Sequence, residues 1–178
     1  MTGERPPRVL IDEARLRLRV QELAAEVRRD TPPGAPLHLV AALKGAFVFL
    51  ADFVRALQGP VTVDFLSVGS YDGRRETSGQ IRITKDIEQS IENRDVVLVE
   101  DILDTGLTLA AVHALLQSRR PRSLRTVCLL DKPARRRVDI PVDYVGFTID
   151  DHFVVGYGLD AGELYRNLPY VGILEPGS

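Results

Sequence analysis

Tryptophan is absent from this chain of 178 residues, cysteine occurs once, and lysine occurs only three times, at Lys44, Lys85 and Lys132. A single thiol, Cys128, excludes an internal disulfide framework, and its place inside the apolar run Thr126 to Leu130 suits a reducing compartment. Long apolar runs are also missing: none reaches the roughly 20 residues that a bilayer-spanning helix needs. The opening MTGERPPR has no apolar core of a secretory signal. The expectation is therefore a cytoplasmic protein with no membrane partner. Neither sign of charge dominates, with 23 basic against 25 acidic residues and a formal net charge of -2, so nothing draws the whole molecule toward nucleic acid. His38, His113 and His152 show no metal-ligand spacing. The basic runs at 119–122 and 135–137 carry no interleaved aromatics, which reads as solvated faces or subunit contacts rather than an RNA surface.

Hydrophobic content of 44% and charged content of 27% are ordinary for one globular domain of this length. Leu16, Val20, Leu23 and Val27 recur at helical spacing and predict an amphipathic helix over 12–29, stopped by the turn cluster Thr31 to Pro36. Buried strands are predicted at Leu37–Leu43, Val61–Val68, Val96–Val99, Leu124–Leu130 and Asp143–Thr148, with helices at Phe47–Leu57 and Leu107–Gln117 between them. Extended pieces follow at Ile81–Thr84, Phe153–Tyr157 and Val171–Leu174, and Gly69 to Gly79 reads as a polar loop. Apolar strands alternating with helices define an α/β fold: a mostly parallel central sheet flanked by helices, in a single domain. Such sheets bind ligands at the carboxyl ends of their strands. Lys44, Glu100, Asp101, Asp104 and Lys132 all fall just after predicted strands, which marks that edge as the site.

The stretch VVLVEDILDTGLTL, Val96 to Leu109, combines an apolar strand, three acids and a turn into a helix. Free backbone N–H groups at a helix start, two Thr hydroxyls and a Gly that admits close approach suit one phosphate. The acids suit other parts of the same ligand. A carboxylate accepts two hydrogen bonds from a vicinal diol and also helps hold Mg²⁺. The ligand so described is a phosphorylated, activated ribose. The plainer alternative makes Asp104 a helix cap and Glu100-Asp101 a solvated pair.

VLVEDILDTGLT, Val97 to Thr108, resembles the 5-phosphoribosyl-1-diphosphate (PRPP) signature of the type I phosphoribosyltransferases. LKGA (Leu43 to Ala46), Ser70-Tyr71, LDKP (Leu130 to Pro133), FVVGYGLD (Phe153 to Asp160) and Arg166 resemble the hypoxanthine-guanine branch in particular. The resemblance implies a core over about 37–148, with a small hood from the N-terminal segment and about 149–178. It implies that Glu100 and Asp101 face the ribose hydroxyls and Mg²⁺, and that Asp104, Thr105, Gly106, Leu107 and Thr108 cradle the 5-phosphate. Asp104 would also take the purine N7 proton. Lys44, Gly45 and Arg166 would grip the diphosphate. Ser70 and Tyr71 would belong to a lid that excludes water. Lys132 would donate to a 6-oxo group and oppose the 6-amino group of adenine. Phe153 would stack on the purine, the Val154 backbone would address ring positions 1 and 2, and Asp160 would hold a second Mg²⁺ through water. His152 departs from the Lys expected before the aromatic, and Ala161-Gly162 is smaller than the matching pair in some relatives.

The implied activity is transfer of a phosphoribosyl group from PRPP to hypoxanthine or guanine, Mg²⁺-dependent, by a homo-oligomer (dimer or tetramer) that binds no nucleic acid. Two rivals are weighed against it. A PRPP-sensing RNA-binding regulator would share the fold but lack the 153–160 segment. An adenine or xanthine enzyme would differ at Lys132.

Overall fold

Seven consecutive residues from Leu37 to Leu43 carry no charge, and such a run is stable as a strand only if both of its faces are covered. The structure, a computed structural model that describes residues 6–70 and 81–175, gives them that place. β2 (Leu37–Leu43) lies inside a six-stranded sheet with β3 (Val61–Ser70), β4 (Ile81–Lys85), β5 (Asp95–Leu103), β6 (Ser123–Asp131) and β7 (Tyr144–Thr148). Their order across the sheet is β4-β3-β2-β5-β6-β7. Every pairing is parallel except β3 with β4. From the central pair the chain winds outward in both directions, β2 to β3 on one side and β5 to β6 to β7 on the other. The crevice where the winding reverses opens between β2 and β5, at their carboxyl ends.

Helix α1 (Glu13–Arg29) is started by Asp12, whose carboxylate accepts the Arg15 N–H at 2.8 Å. It buries Leu16, Val20, Leu23, Ala24 and Val27, each worth up to about 1.5–3 kcal/mol for the larger side chains. Together with α2 (Phe47–Ala56), α1 packs in the cluster that holds Leu39, Ala41, Val97, Val99 and Val127. Helix α3 (Leu107–Ser118) covers the opposite face, over Val40, Val96, Leu98 and Cys128. Odd and even residues of β5 thus divide cleanly between two apolar layers until Glu100. Beyond Asp101 the phase slips, since Ile102 packs with the first layer and Leu103 with the second. The slip falls where the chain enters the crevice.

A second, three-stranded antiparallel sheet runs β1-β9-β8, from β1 (Arg8–Ile11), β8 (Val154–Val155) and β9 (Val171–Ile173). The sequence offered no strand signal at 8–11, because four residues with a single buried side chain, Ile11, leave little periodicity to read. β5 is also longer than the predicted Val96–Val99. Its ladder with β6 continues from Asp95↔Ser123 to Leu103↔Asp131, because backbone pairing does not depend on side-chain charge. Glu100 and Asp101 are accordingly strand residues and do not follow the strand.

Candidate active site

Gly45 and Asp101 meet at the crevice between β2 and β5. A Cβ added to Gly45 would lie 1.6 Å from Asp101 Oδ2, so the carboxylate rests directly on the Gly45 backbone. On its other side, a Cβ added to Gly158 would lie 2.1 Å from the Gly45 carbonyl oxygen. Gly158 sits at φ +102°, a conformation that glycine alone adopts without strain. The Leu43–Lys44 peptide just before Gly45 is cis. Three segments distant in sequence are thus pressed together, Gly158 on Gly45 backbone to backbone and Asp101 through its carboxylate.

Arg166 closes this corner. Its Nη1 donates to the Gly158 carbonyl at 2.8 Å and its Nη2 pairs with Asp160 at 3.0 Å. Its buried Nε has no hydrogen-bond partner among the described residues. The Lys44 ammonium donates to Glu163 Oε2 at 2.9 Å, and the other oxygen of that carboxylate is 3.4 Å from Arg166. The structure therefore joins Lys44, Gly45 and Arg166 in one corner with Asp101 and Asp160.

The turn after β5 forms the next part. Gly106, at φ +84°, is the N-cap of α3, and no side chain caps that helix. Asp104 is therefore not the helix cap. Among the described residues the first-turn N–H groups meet one weak side-chain acceptor, Thr105 Oγ1, 3.4 Å from the Leu107 nitrogen. Thr105, Leu107 and Thr108 frame this open helix start, which favours an anion through both the free N–H groups and the helix dipole. A Cβ at Gly106 would meet the Val138 carbonyl at 2.8 Å, so the turn is held from behind by the segment after β6. The Arg137 N–H donates to the Thr105 carbonyl at 2.9 Å for the same effect.

That segment refines the reading of 135–137 as a solvated face or subunit contact: Arg135 and Arg137 are exposed, yet the run also packs onto the phosphate turn. Arg135 Nε lies 3.1 Å from Asp104 Oδ1, and Arg136 pairs with Asp131 while its Nε donates to the Asp104 carbonyl at 3.3 Å. A 3-10 turn at Pro133–Arg135 reverses the chain onto the phosphate turn, and charge runs carry no signal of such a reversal. Lys132, only 5% exposed, is placed by its own N–H donating to the Leu103 carbonyl at 2.9 Å. Its ammonium donates to the His152 carbonyl at 2.8 Å and pairs with Asp151 at 3.0 Å. Asp151, held below the usual carboxylate range chiefly by that Lys132 contact, was not singled out in the sequence, nor was Glu163. Phe153 is half-exposed, while Val154 beside it is buried. Ser70 ends β3, but its side chain and Tyr71 lie outside the described residues.

The acids are held against their charge. Burial pushes Glu100 well above the carboxylate range, and the neighbouring Asp101 adds to it. Burial likewise lifts Asp101 to about 6, against the Ile102 N–H and Arg166, which favour the ionised form. Two poorly solvated carboxylates at an open edge suit a hard cation, and Mg²⁺ is usually held by one or two carboxylates, waters and substrate oxygens. No group of three metal-ligating side chains converges among the described residues, and that mode of binding needs none. A cavity of about 650 Å³ between α1, α2 and residues 166–169 touches this site only at Arg166.

Comparison with known proteins follows the same outline. Residues 11–161 match the phosphoribosyl transferase domain family. The chain is 49% identical over 168 residues to the hypoxanthine-guanine phosphoribosyltransferase of Staphylococcus aureus, covering 94% of this chain and 93% of that one. It is 46% identical over 165 residues to the hypoxanthine phosphoribosyltransferase of Salmonella typhimurium, covering 92% and 93%. A crystal structure of a hypoxanthine-guanine phosphoribosyltransferase from Bacillus anthracis superposes with a TM-score of 0.90 at 44% identity, covering 94% of this chain and 98% of that one. The mixed sheet with its flanking helices is the type I phosphoribosyltransferase fold, and the chain belongs to the phosphoribosyltransferase family, on its hypoxanthine-guanine branch.

Proposed function

We propose that this protein transfers the 5-phosphoribosyl group of PRPP to N9 of hypoxanthine or guanine, giving IMP or GMP and pyrophosphate, for purine salvage. The observation that carries the reading is the place of Lys132. It is buried, and its N–H is bonded across the β5–β6 ladder to Leu103, next in the chain to Asp104. A donor suited to a 6-oxo group and an acceptor suited to a ring proton therefore leave neighbouring strand ends.

In the reaction the bond from ribose C1 to the diphosphate oxygen breaks and the bond from C1 to N9 forms, while the base gives up one proton. Asp104 accepts that proton at N7, and its charge favours the oxocarbenium-like transition state. Phe153, with a free face, stacks on the purine, and the Val154 backbone addresses ring positions 1 and 2. Asp104 to Thr108 bind the 5-phosphate through the open α3 start. Glu100 and Asp101 bind the ribose hydroxyls. Lys44, Gly45 and Arg166 hold the leaving diphosphate, and Ser70 and Tyr71 belong to the lid over it. Glu100 and Asp101 would hold one Mg²⁺ and Asp160 a second, and the chemistry such an ion would supply is positive charge for the diphosphate. Arg136, paired with Asp131 and bonded to the Asp104 carbonyl, weighs against an RNA-binding regulator. The buried, unpaired Cys128 supports a cytoplasmic setting, and a homo-oligomer belongs to the same reading.

The test supplies PRPP and Mg²⁺ with hypoxanthine, guanine, xanthine or adenine in turn and follows nucleotide formation. Turnover with either of the first two is expected; preference for adenine, or no turnover with those two, overturns the reading.

A further inference from the structure

Glu163 is an oddity in the corner assigned to the diphosphate. It sits at φ +70°, a left-handed conformation that a residue with a Cβ adopts only when its surroundings impose it. The constraint is visible. Asp160 Oδ2 accepts the Glu163 N–H at 2.8 Å, and Ala161 and Leu164 exchange backbone hydrogen bonds of 3.2 Å each way around it. This tight loop delivers the carboxylate between two cations, with Oε2 at 2.9 Å from Lys44 and Oε1 at 3.4 Å from Arg166.

Arg166 does not need Glu163 for its position. Gly158 and Asp160 already hold its two terminal nitrogens, and its side chain is only 17% exposed. Glu163 and Lys44, by contrast, are each 65% exposed, so their contact is easily exchanged with solvent or with another anion. A carboxylate spanning Lys44 and Arg166 presents two oxygens to the same two cations that a diphosphate would engage. The cost of separating it is small, and its charge must then stand beside Asp160 and an incoming polyanion.

We infer that Glu163 is a resident stand-in for the diphosphate, a built-in competitor that weakens the grip of Lys44 and Arg166 on pyrophosphate and so hastens its release. The inference rests on the proposed role of that corner. Glu163 touches neither the base site nor the phosphate turn, so its effect is confined to ligands that carry the diphosphate.

The experiment measures, by calorimetry, the binding of inorganic pyrophosphate with Mg²⁺ and, separately, of GMP to the parent and to Glu163→Gln. The amide keeps the side chain's size and the backbone N–H that anchors the loop. Pyrophosphate is expected to bind about two- to fivefold more tightly to Glu163→Gln, the size of one exposed ion pair, with GMP unchanged. Pyrophosphate affinity unchanged or lowered in the variant, while the parent binds it, overturns the inference and leaves the diphosphate corner standing. A parallel change in both ligands also overturns it, since that marks a general disturbance of the loop. Absence of pyrophosphate binding to the parent, with GMP still bound, overturns the role of the corner itself and the inference with it.

Discussion

Gly45→Ala should nearly abolish activity while leaving the protein folded. The new methyl would lie 1.6 Å from Asp101 Oδ2, and real contacts of this kind essentially never fall below 3.0 Å, so the carboxylate or the Gly45 backbone must move by about 1.4 Å. The backbone has no room to retreat, because the Gly45 carbonyl oxygen already lies against Gly158, where a Cβ would come within 2.1 Å. The displacement therefore falls on Asp101, the group proposed to hold the sugar and metal. A misplacement of about 1 Å at a reacting centre costs about a hundredfold in rate. We expect kcat/KM for PRPP to fall by about a hundredfold or more. The melting temperature should change by only a few degrees, since no buried apolar contact is lost. Steady-state kinetics over a range of PRPP, with melting followed in parallel, decides the matter. A kcat/KM within about threefold of the parent would refute the close packing of Gly45 on Asp101 as the basis of the site.

Asp104→Asn should lower kcat by about a hundredfold to ten-thousandfold and leave KM for PRPP within a few-fold, the range expected when a general base is lost; equal losses in both would make Asp104 a phosphate-positioning group only. Lys132→Gln, which offers an amide with both donor and acceptor, should raise KM for hypoxanthine and guanine more than KM for PRPP; unaltered base kinetics would remove Lys132 from base choice. Without ligand, the fold favours the protonated forms of Glu100 and Asp101. Their contribution to stability is therefore full below the ordinary carboxylate range and is lost as pH rises above it, for Asp101 through about 6. His38, held below its ordinary value mainly by burial, tilts the other way, so the informative comparison is between parent and Asp101→Asn at pH values above and below about 6. At the higher pH, Asp101→Asn should melt about 3–10 °C above the parent, from roughly 1–3 kcal/mol of relieved charge burial, and the gap should shrink on acidification. A gap that does not shrink would place the effect elsewhere.

Much of the site was legible because it is local. The run from Val96 to Leu109 carries its strand, acids, phosphate turn and helix within fourteen residues, and α1 showed its face through Leu16, Val20, Leu23 and Val27. What stayed hidden depends on chain reversals. Arg135 reaches Asp104 only because a 3-10 turn folds the segment after β6 back over the phosphate turn. Asp151 reaches Lys132 from beyond β7, and Glu163 reaches Lys44 across more than a hundred residues. The true length of β5 was hidden for another reason. Its apolar run is interrupted by two acids, Glu100 and Asp101, whose type argues for a loop, yet the β6 ladder continues past them to Leu103. β1 depends on its pairing with β9, which no local pattern records.

The hydrogen bond from the Lys132 N–H to the carbonyl of Leu103, the last residue of β5, carries the β5–β6 ladder one residue past the end of β6. It makes the gap between Asp104 and the Lys132 side chain a fixed gauge, set by the spacing of two adjacent strands, roughly 4.8 Å, plus the reach of their side chains. Under the proposed reading, the jaws of that gauge are the N7 acceptor and the O6 donor. Those two purine atoms lie on one edge of the fused rings, N7 in the five-membered ring and O6 on the six-membered ring. A pyrimidine offers its oxo group but no second ring to meet Asp104. The sheet itself, and no dedicated residue, would then decide that only a bicyclic base is measured correctly.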